Sequence, residues 1–222
     1  MSSPPTVSIP RPLRRDAEHN RQRIMAAARE VFAERGFGAT LDDIAVHAGL
    51  GVGTVYRRFP NKAALIEALF EENFEEIAEL GRRAAAVPDA WDGLVGFLTA
   101  VAEMQNRDRG LRDLMLSQRS GGTRSARMRE GMKPSIDALI ERALEQGKLR
   151  PDFAPGDIPV IQLMVAAAFD FTCVSDLDGW RRYLALVLDG LRRRRDEPSE
   201  LPRPALDDDG LDRALNGWMA GS

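Results

Sequence analysis

Cysteine is almost absent from this sequence. Cys173 is the only cysteine among 222 residues, so no disulfide can form within one chain, and a reducing compartment suits that composition. Because Cys173 lies in an apolar stretch, it fits a buried core residue better than a reactive thiol. The N-terminus carries no basic segment followed by an apolar one, so we expect no secretory signal. These features predict a soluble cytoplasmic protein.

The sequence also lacks long hydrophobic runs and clusters of metal-binding or catalytic residues. Its longest apolar run, residues 160–174, is interrupted by polar residues and is too short to span a bilayer. The only two histidines, His19 and His47, lie in different predicted helices and have no partner at ligand spacing. Asp42 and Asp43 suit the positive end of a helix dipole, not acid–base catalysis. We therefore expect no catalytic site, no metal and no cofactor.

The net charge of −3 conceals an uneven distribution along the chain. Residues 1–62 contain ten Arg or Lys and six Asp or Glu, a net charge of +4, whereas the remaining residues carry a net charge of −7. A basic N-terminal module on an acidic body is typical of a DNA-binding protein that has a separate second domain. At this length the chain is able to bury a substantial core in one domain or in two.

Residues 40–62 contain two short helices joined by a turn, in the sequence TLDDIAVHAGLGVGTVYRRFPNK. Thr40 suits a helix N-cap, and one apolar face of the first helix has helical spacing, at Leu41, Ile44, Ala45 and Ala48. A break at residues 49–51 begins with a glycine, as helix C-termini favour. The second helix runs from about Val52 to just before Pro60. This arrangement predicts a helix-turn-helix that packs in a small bundle.

The second of these helices carries the residues suited to nucleic acid. Leu50, Val55 and Phe59 are predicted to face the bundle. The outer surface is then formed by Val52, Gly53, Thr54, Tyr56, Arg57 and Arg58. A hydroxyl, a phenol and two guanidinium groups suit the phosphates and base edges of a DNA major groove. From the residues alone, an ordinary solvated helix face remains the alternative.

The segment TVYRRFPNK, preceded by AGLG, resembles the DNA-binding region of the TetR family of transcriptional regulators, whose members typically read Gly-Thr-Leu-Tyr-x-His-Phe-x-x-Lys. The resemblance extends upstream through NRQRIMAAAREVFAERGFGAT and downstream through ALIEALF. Two positions depart from the family pattern: Gly51 replaces a common capping serine, and Arg58 replaces the usual histidine. The resemblance implies an all-α protein in which a three-helix DNA-binding bundle is linked by a fourth helix to a helical dimerisation domain.

We predict four segments along the chain. They are a flexible basic arm at 1–15, a helix-turn-helix DNA-binding domain at 16–62 with its motif at about 40–59, a helical ligand-binding and dimerisation domain at 63–195, and an acidic, Pro-rich tail at 196–222. The spacing of Leu211, Leu215 and Trp218 is compatible with one or two final amphipathic helical turns in the tail.

The resemblance also implies three sets of site residues. The DNA-binding set, in which Arg57 and Val52 read bases and most others hold phosphates, is Thr40, Val52, Gly53, Thr54, Tyr56, Arg57, Arg58 and Lys62. The dimer interface, on the last two body helices, is Ala166, Tyr183, Leu184, Val187, Leu188 and Leu191; a purely monomeric core is the alternative. The ligand pocket, for which ordinary core packing is the alternative, is Phe97, Val101, Met115, Gln118, Met128, Met132, Ile136, Met164, Phe169, Asp170 and Thr172.

We thus expect a homodimeric regulator, most often a repressor in this family, that binds a palindromic operator in double-stranded DNA. A small apolar effector would bind the C-terminal domain and release the DNA. One alternative is a DNA-binding regulator that responds to no ligand. Another is an enzyme that keeps a helix-turn-helix as a remnant, although no nucleophile, base or metal set supports it.

Overall fold

The computed structural model describes residues 11–108, 123–194 and 200–220, with only the backbone described for 11–15, 37, 123–129 and 215–220. Within these ranges the regular structure is helical, apart from one isolated β-bridge between Leu149 and Arg192. The all-α prediction is therefore confirmed. The described chain divides into two compact units, one containing residues 11–72 and Asp108, the other containing the remaining described residues.

Within the part of the chain that the structure describes, the first unit contains three helices and the start of a fourth. Their bounds are α1 Arg11–Arg35, α2 Leu41–His47, α3 Val52–Arg58 and α4 Lys62–Ala85, with a short 3₁₀ turn at Gly36–Gly38. The first helix begins five residues earlier than the sequence predicts, so residues 11–15 are not part of a flexible arm. Pro12 falls in the first turn, where a missing N–H leaves no hydrogen bond unmade, and arginine favours helix. Residues 1–10 of the predicted arm lie outside the described residues.

One apolar core holds this unit together. The helical stripes that the sequence shows on each segment all point inward, because residues three and four apart share one face of a helix. The largest fully buried members are Ile24, Met25, Val31, Ile44, Val55, Leu65 and Leu69. Since α2 and α3 have only seven residues each, neither would be stable without this packing.

In the described residues, the second unit contains the rest of α4 and five further helices. They are α5 Ala90–Arg107, α6 Thr123–Glu145, α7 Asp157–Thr172, α8 Trp180–Leu191 and α9 Asp208–Ala220. The core of this unit is formed by residues from α4 to α8, among them Trp91, Leu94, Phe97, Leu98, Leu139 and Trp180. Pro134 lies within α6.

The loop between α4 and α5 is held by side chains of α6. Gln146, just after α6, accepts a hydrogen bond from the Ala90 N–H at 2.9 Å and donates one to the Pro88 carbonyl at 3.2 Å. Arg142 donates to the carbonyls of Ala85 and Val87. These contacts satisfy carbonyl groups at the end of α4, which have no partner within the helix.

The described part of the predicted tail joins the body instead of standing apart from it. Helix α9 packs against α7, with Ala214 fully buried. Arg203 forms an ion pair with Asp176 at 2.6 Å, and the Ser175 hydroxyl donates to the Gly210 carbonyl at 2.8 Å. The sequence anticipated one or two amphipathic turns, whereas the structure has a helix of 13 residues on which Leu211 is exposed.

Candidate nucleic-acid interface

The start of α2 is held by a reciprocal capping arrangement. The Thr40 hydroxyl oxygen accepts from the Asp43 N–H at 3.2 Å, while the Asp43 carboxylate accepts from the Thr40 hydroxyl at 2.6 Å and from the Thr40 N–H at 2.8 Å. The hydroxyl donor, followed by the N–H, lowers the pKa of Asp43 below its usual value. Thr40 therefore suits the predicted cap, and a phosphate would have to displace Asp43 to receive its hydroxyl hydrogen.

Arg23 on α1 supports the turn between α2 and α3. Its guanidinium donates to the Ala48 carbonyl at 2.7 Å, and Gly49 adopts a left-handed conformation with φ of 62°. A guanidinium at the C-terminus of a helix is favourable because the exposed carbonyls carry partial negative charge. Sequence reasoning missed Arg23, since the contact spans 25 positions and leaves no local signal.

Helix α3 is oriented as the sequence predicts. Val55 and Phe59 are buried and Leu50 packs against the same core. Gly51 provides no side-chain cap, and its carbonyl accepts from the Thr54 N–H at 2.8 Å. Because Gly51 lacks the hydroxyl of the serine that is common in the family, the N-cap of α3 makes backbone contacts only.

The opposite side of α3 faces outward. Val52, Gly53, Tyr56, Arg57 and Arg58 are exposed, and Thr54 is half-buried. No heavy atom lies within 4 Å of the place where a Cβ of Gly53 would stand. An exposed helix face of this width and composition is able to enter a major groove and reach base edges.

The side chain of Arg57 lies along its own helix. Its Nε donates to the Gly53 carbonyl at 3.1 Å and its Nη2 to the Thr54 hydroxyl at 3.3 Å. A guanidinium has five N–H donors, so these two contacts leave donors for a base. They also restrain the side chain before DNA arrives, which lowers the entropy lost on binding.

Tyr56 and Arg58 are each placed beside an acid. The charge of Asp42 raises the pKa of the Tyr56 phenol above its ordinary value, with burial and a hydrogen bond to the same carboxylate as further causes. The guanidinium of Arg58 lies 3.5 Å from Glu18 on α1. Both members of this pair are largely exposed, so the pair is weak and a phosphate is able to compete with Glu18.

Lys62 begins α4 beside an N-cap. The Asn61 side chain accepts from the Ala64 N–H at 2.9 Å and so caps the start of this helix. The ammonium of Lys62 lies 5.5 Å from the centre of the Phe32 ring. An N-terminal lysine adds its charge to the positive end of the helix dipole, and this combination attracts phosphate.

Comparisons with known proteins agree with this geometry. Residues 24–69 match the sequence profile of the bacterial regulatory proteins of the tetR family, and residues 88–193 match the C-terminal domain of SbtR-like transcriptional regulators. A TetR transcriptional regulator from Streptomyces coelicolor, of known structure, is 31% identical with a TM-score of 0.56; the match covers 98% of that chain and 78% of this one. This chain belongs to the TetR family.

Two further relatives show how the similarity is distributed. A TetR-family protein from Mycobacterium vanbaalenii is 28% identical with a TM-score of 0.59, and the match covers 99% of that chain and 82% of this one. An HTH-type transcriptional regulator from Staphylococcus aureus is 36% identical over 64 residues, which are 28% of this chain and only 35% of that protein.

The dimer face implied by the TetR resemblance needs correction. Ala166, Leu184, Leu188 and Leu191 are buried within the single chain, and the three leucines belong to the core of the second unit. They pack within their own chain and expose at most 9% of their surface. Of the predicted set, only Tyr183 and Val187 are partly exposed.

A different apolar surface lies on the outer sides of α7 and α8, and we call it the outer stripe. Leu163, Met164 and Leu186 expose 44%, 54% and 47% of their surface, and Val160 exposes 55%. With Ala167 on α7 and with Tyr183, Val187 and Gly190 on α8, these positions repeat at three- and four-residue spacing. The sequence pattern did not identify this surface, because α7 and α8 are apolar on more than one side.

The residues predicted for a TetR effector pocket are only partly together. Phe97, Val101 and Phe169 share one core cluster, against which Met132 and Ile136 pack. Thr172 is fully buried and Asp170 half-buried. Met164 is exposed on the outer stripe, so its place in the pocket was wrong: five positions from Phe169, it points to a different side of α7. Met115 and Gln118 lie outside the described residues, and only the backbone of Met128 is described.

The described residues contain neither a candidate membrane span nor a candidate metal site. None of the helices in these parts of the chain has the length and hydropathy needed to cross a membrane. Among the same residues, no group of three or more His, Cys, Asp or Glu side chains is arranged to hold a metal ion.

Proposed function

We propose that this protein binds operator DNA as a homodimer and represses transcription in the cytoplasm until a small effector releases it. The observation that carries the proposal is the outward face of α3, where Val52, Tyr56, Arg57 and Arg58 are exposed on a helix whose other side is buried. We assign DNA binding to residues 16–62, and effector binding and dimerisation to 63–195.

Within this proposal the interface residues divide into two roles. Arg57 reads a base by hydrogen bonding and Val52 packs against a thymine methyl group, contacts that distinguish base pairs in the major groove. The groups that hold phosphates are Thr40, Thr54, Tyr56, Arg58 and Lys62. Gly53 allows the backbone to approach DNA closely because no side chain intervenes. Phosphate contacts set the position of the helix, and base contacts set the sequence.

Selection of bound duplexes from a random pool tests the DNA-binding proposal directly. We expect a palindromic consensus whose half-sites are separated by about one helical turn, roughly 34–36 Å, because a two-fold dimer presents two α3 helices at that spacing. Recovery of no consensus, or of an asymmetric single site, would contradict the homodimeric operator.

Substitutions of Arg57 and Lys62 should affect binding differently. Arg57→Ala should weaken operator binding by about 1–3 kcal/mol and relax the preference at one base-pair position. Lys62→Ala should weaken binding to all sequences alike and reduce the salt dependence by about one phosphate contact. Both effects are measured by titrating matched and mismatched duplexes at several salt concentrations.

The matched control is Arg107→Ala, which removes an exposed arginine from the end of α5 and should leave operator affinity unchanged. If Arg57→Ala leaves both affinity and base preference as they were, α3 does not present the face that we assign to DNA.

We further propose that the second unit binds a mostly apolar effector of drug or lipid-metabolite size. Support comes from the clustering of Phe97, Val101 and Phe169 with Met132 and Ile136, since methionines adapt their shape to apolar guests. A solved complex of SmeT with triclosan shares this fold at 20% identity and a TM-score of 0.58, so that related protein binds a small molecule. A ligand can release DNA only by binding the two conformations with different affinity.

A thermal-shift screen followed by operator release tests the effector. We expect apolar compounds to raise the unfolding temperature, as any ligand of the native state does, and the best of them to displace the operator. Stabilisation by hydrophilic metabolites alone would contradict the proposed chemistry. Compounds that bind without displacing the operator would favour the ligand-independent regulator.

A further inference from the structure

One cleft in the second unit is lined, among the described residues, by cations and by no acid. Its lining residues are Gln146, Gly147, Lys148, Arg192, Arg193 and Arg194, and its volume is about 530 Å³. Small-molecule sites commonly have volumes in this range. None of these residues belongs to the DNA-binding, dimer or pocket sets described above.

The backbone holds the two cationic segments of the cleft side by side. Gly147 takes a left-handed conformation with φ of 67° after α6, and Leu149 forms an antiparallel bridge with Arg192. The Arg193 N–H donates to the Lys148 carbonyl at 2.8 Å, and the Arg150 N–H donates to the Leu191 carbonyl at 2.9 Å. These contacts preorganise the cleft, so a ligand bound there loses less free energy to ordering the backbone.

The positive charges of the cleft are only partly balanced. The Lys148 ammonium lies 3.2 Å from Asp89, and the Arg192 guanidinium lies 3.9 Å from Asp189 and 4.5 Å from the Trp91 ring centre. In the described parts of the chain, the side chains of Arg193 and Arg194 have no ion pair or hydrogen bond. Among the described residues, two acids lie beside these four cations, which leaves a surplus of positive charge in that part of the chain.

A simpler explanation for the cations of this cleft is that they stabilise the C-termini of α6 and α8, whose carbonyls carry partial negative charge. Arg150 does serve this purpose, because it donates to the Gly190 carbonyl at 3.3 Å. Arg193 and Arg194 donate to none of these carbonyls among the described residues, so stabilisation of a helix end does not account for them.

We propose that this cleft binds a phosphorylated small molecule with at least two negative charges. Guanidinium groups bind phosphate through two parallel hydrogen bonds, which gives arginine an advantage for this anion. The cleft is compact, whereas surfaces that follow a nucleic-acid backbone carry cations in an extended stripe. Its charged lining also separates this ligand from the apolar effector proposed above, so the two proposals stand independently.

Titration calorimetry of the full-length protein with inorganic pyrophosphate at constant ionic strength tests the site. The double variant Arg193→Gln/Arg194→Gln should bind pyrophosphate at least about tenfold more weakly, since charge-assisted hydrogen bonds are lost. The control Arg107→Gln/Lys133→Gln removes two charges outside the cleft and should bind as the unchanged protein does. Thermal unfolding of each variant verifies that it is folded.

Three results would overturn the proposal. One is the absence of pyrophosphate binding at millimolar concentration. A second is binding that the double variant leaves unchanged or that chloride and sulfate reproduce equally. The third is displacement of pyrophosphate by random-sequence duplex DNA that binds the site more tightly than pyrophosphate does. That result would assign the arginines to a nucleic-acid surface.

Discussion

Leu186→Glu should separate the subunits, since we propose the outer stripe as the dimer interface. Operator affinity should then fall on the order of 10²–10⁴-fold, because each monomer binds one half-site without the second. In a two-fold interface the substitution appears twice, and each carboxylate loses its hydration without gaining a partner. Leu186 is 47% exposed in the single chain, so folding should be preserved. Sedimentation measures the assembly, and duplex titration measures the affinity.

Two further variants serve as controls for this prediction. Leu211→Glu places the same charge at an exposed leucine of α9, outside the outer stripe, and should leave the dimer intact. Leu188→Glu places it in the core of a single chain, where Leu188 is 9% exposed, and should unfold the second unit. If Leu186→Glu stays dimeric while it remains folded, the outer stripe is not the interface.

Gly93→Ala should destabilise the protein by about 2–3 kcal/mol, because overpacking a close contact forces backbone movement. A Cβ on Gly93 would stand 2.5 Å from the Ala84 carbonyl oxygen and 3.2 Å from a methyl group of Leu139. The first of these atoms is backbone and cannot rotate away. The close approach of α4 to α5 therefore requires glycine. Chemical denaturation measures the free energy of unfolding.

Gly96→Ala, three positions along α5, is the matched control and should change stability in the opposite direction. No heavy atom lies within 4 Å of a Cβ placed there, and alanine favours a helix interior over glycine by about 0.5–1 kcal/mol. Equal effects of the two substitutions would show that helix propensity, and not the contact with Ala84, decides the stability at Gly93.

Local signals were sufficient for much of the DNA-binding unit. Thr40 and Asn61 cap the helices that follow them, and glycine occupies left-handed positions at Gly36 and Gly49. Each of these features depends on atoms within a few residues, so the chain sequence determines them directly. The orientation of α3 also followed, because Val55 and Phe59 share one face of a short amphipathic helix.

The spacing of apolar residues did not predict the buried side of a helix that has apolar residues on two sides. On α8, Leu184 and Leu188 form one stripe while Tyr183, Leu186 and Val187 form another, and the sequence provides no reason to prefer either as the core. Packing decided the choice by burying Leu184 and Leu188. The same ambiguity on α7 led to the wrong placement of Ala166 and Met164.

The sequence by itself determined that this protein is an all-α TetR-family chain, where its short helices begin and end, and which side of α3 faces outward. Only the tertiary structure decided which apolar stripe remains exposed. It also decided three contacts: Arg23 donates to the Ala48 carbonyl in the turn, Arg203 pairs with Asp176 and so attaches the tail, and Lys148 lies beside Arg193 in one cleft. The physical reason is the separation along the chain of the residues that make each contact. Caps and turns arise between neighbours in the chain, whereas these contacts join residues that the sequence separates by about 25 to 45 positions and that only the packing of whole helices brings together.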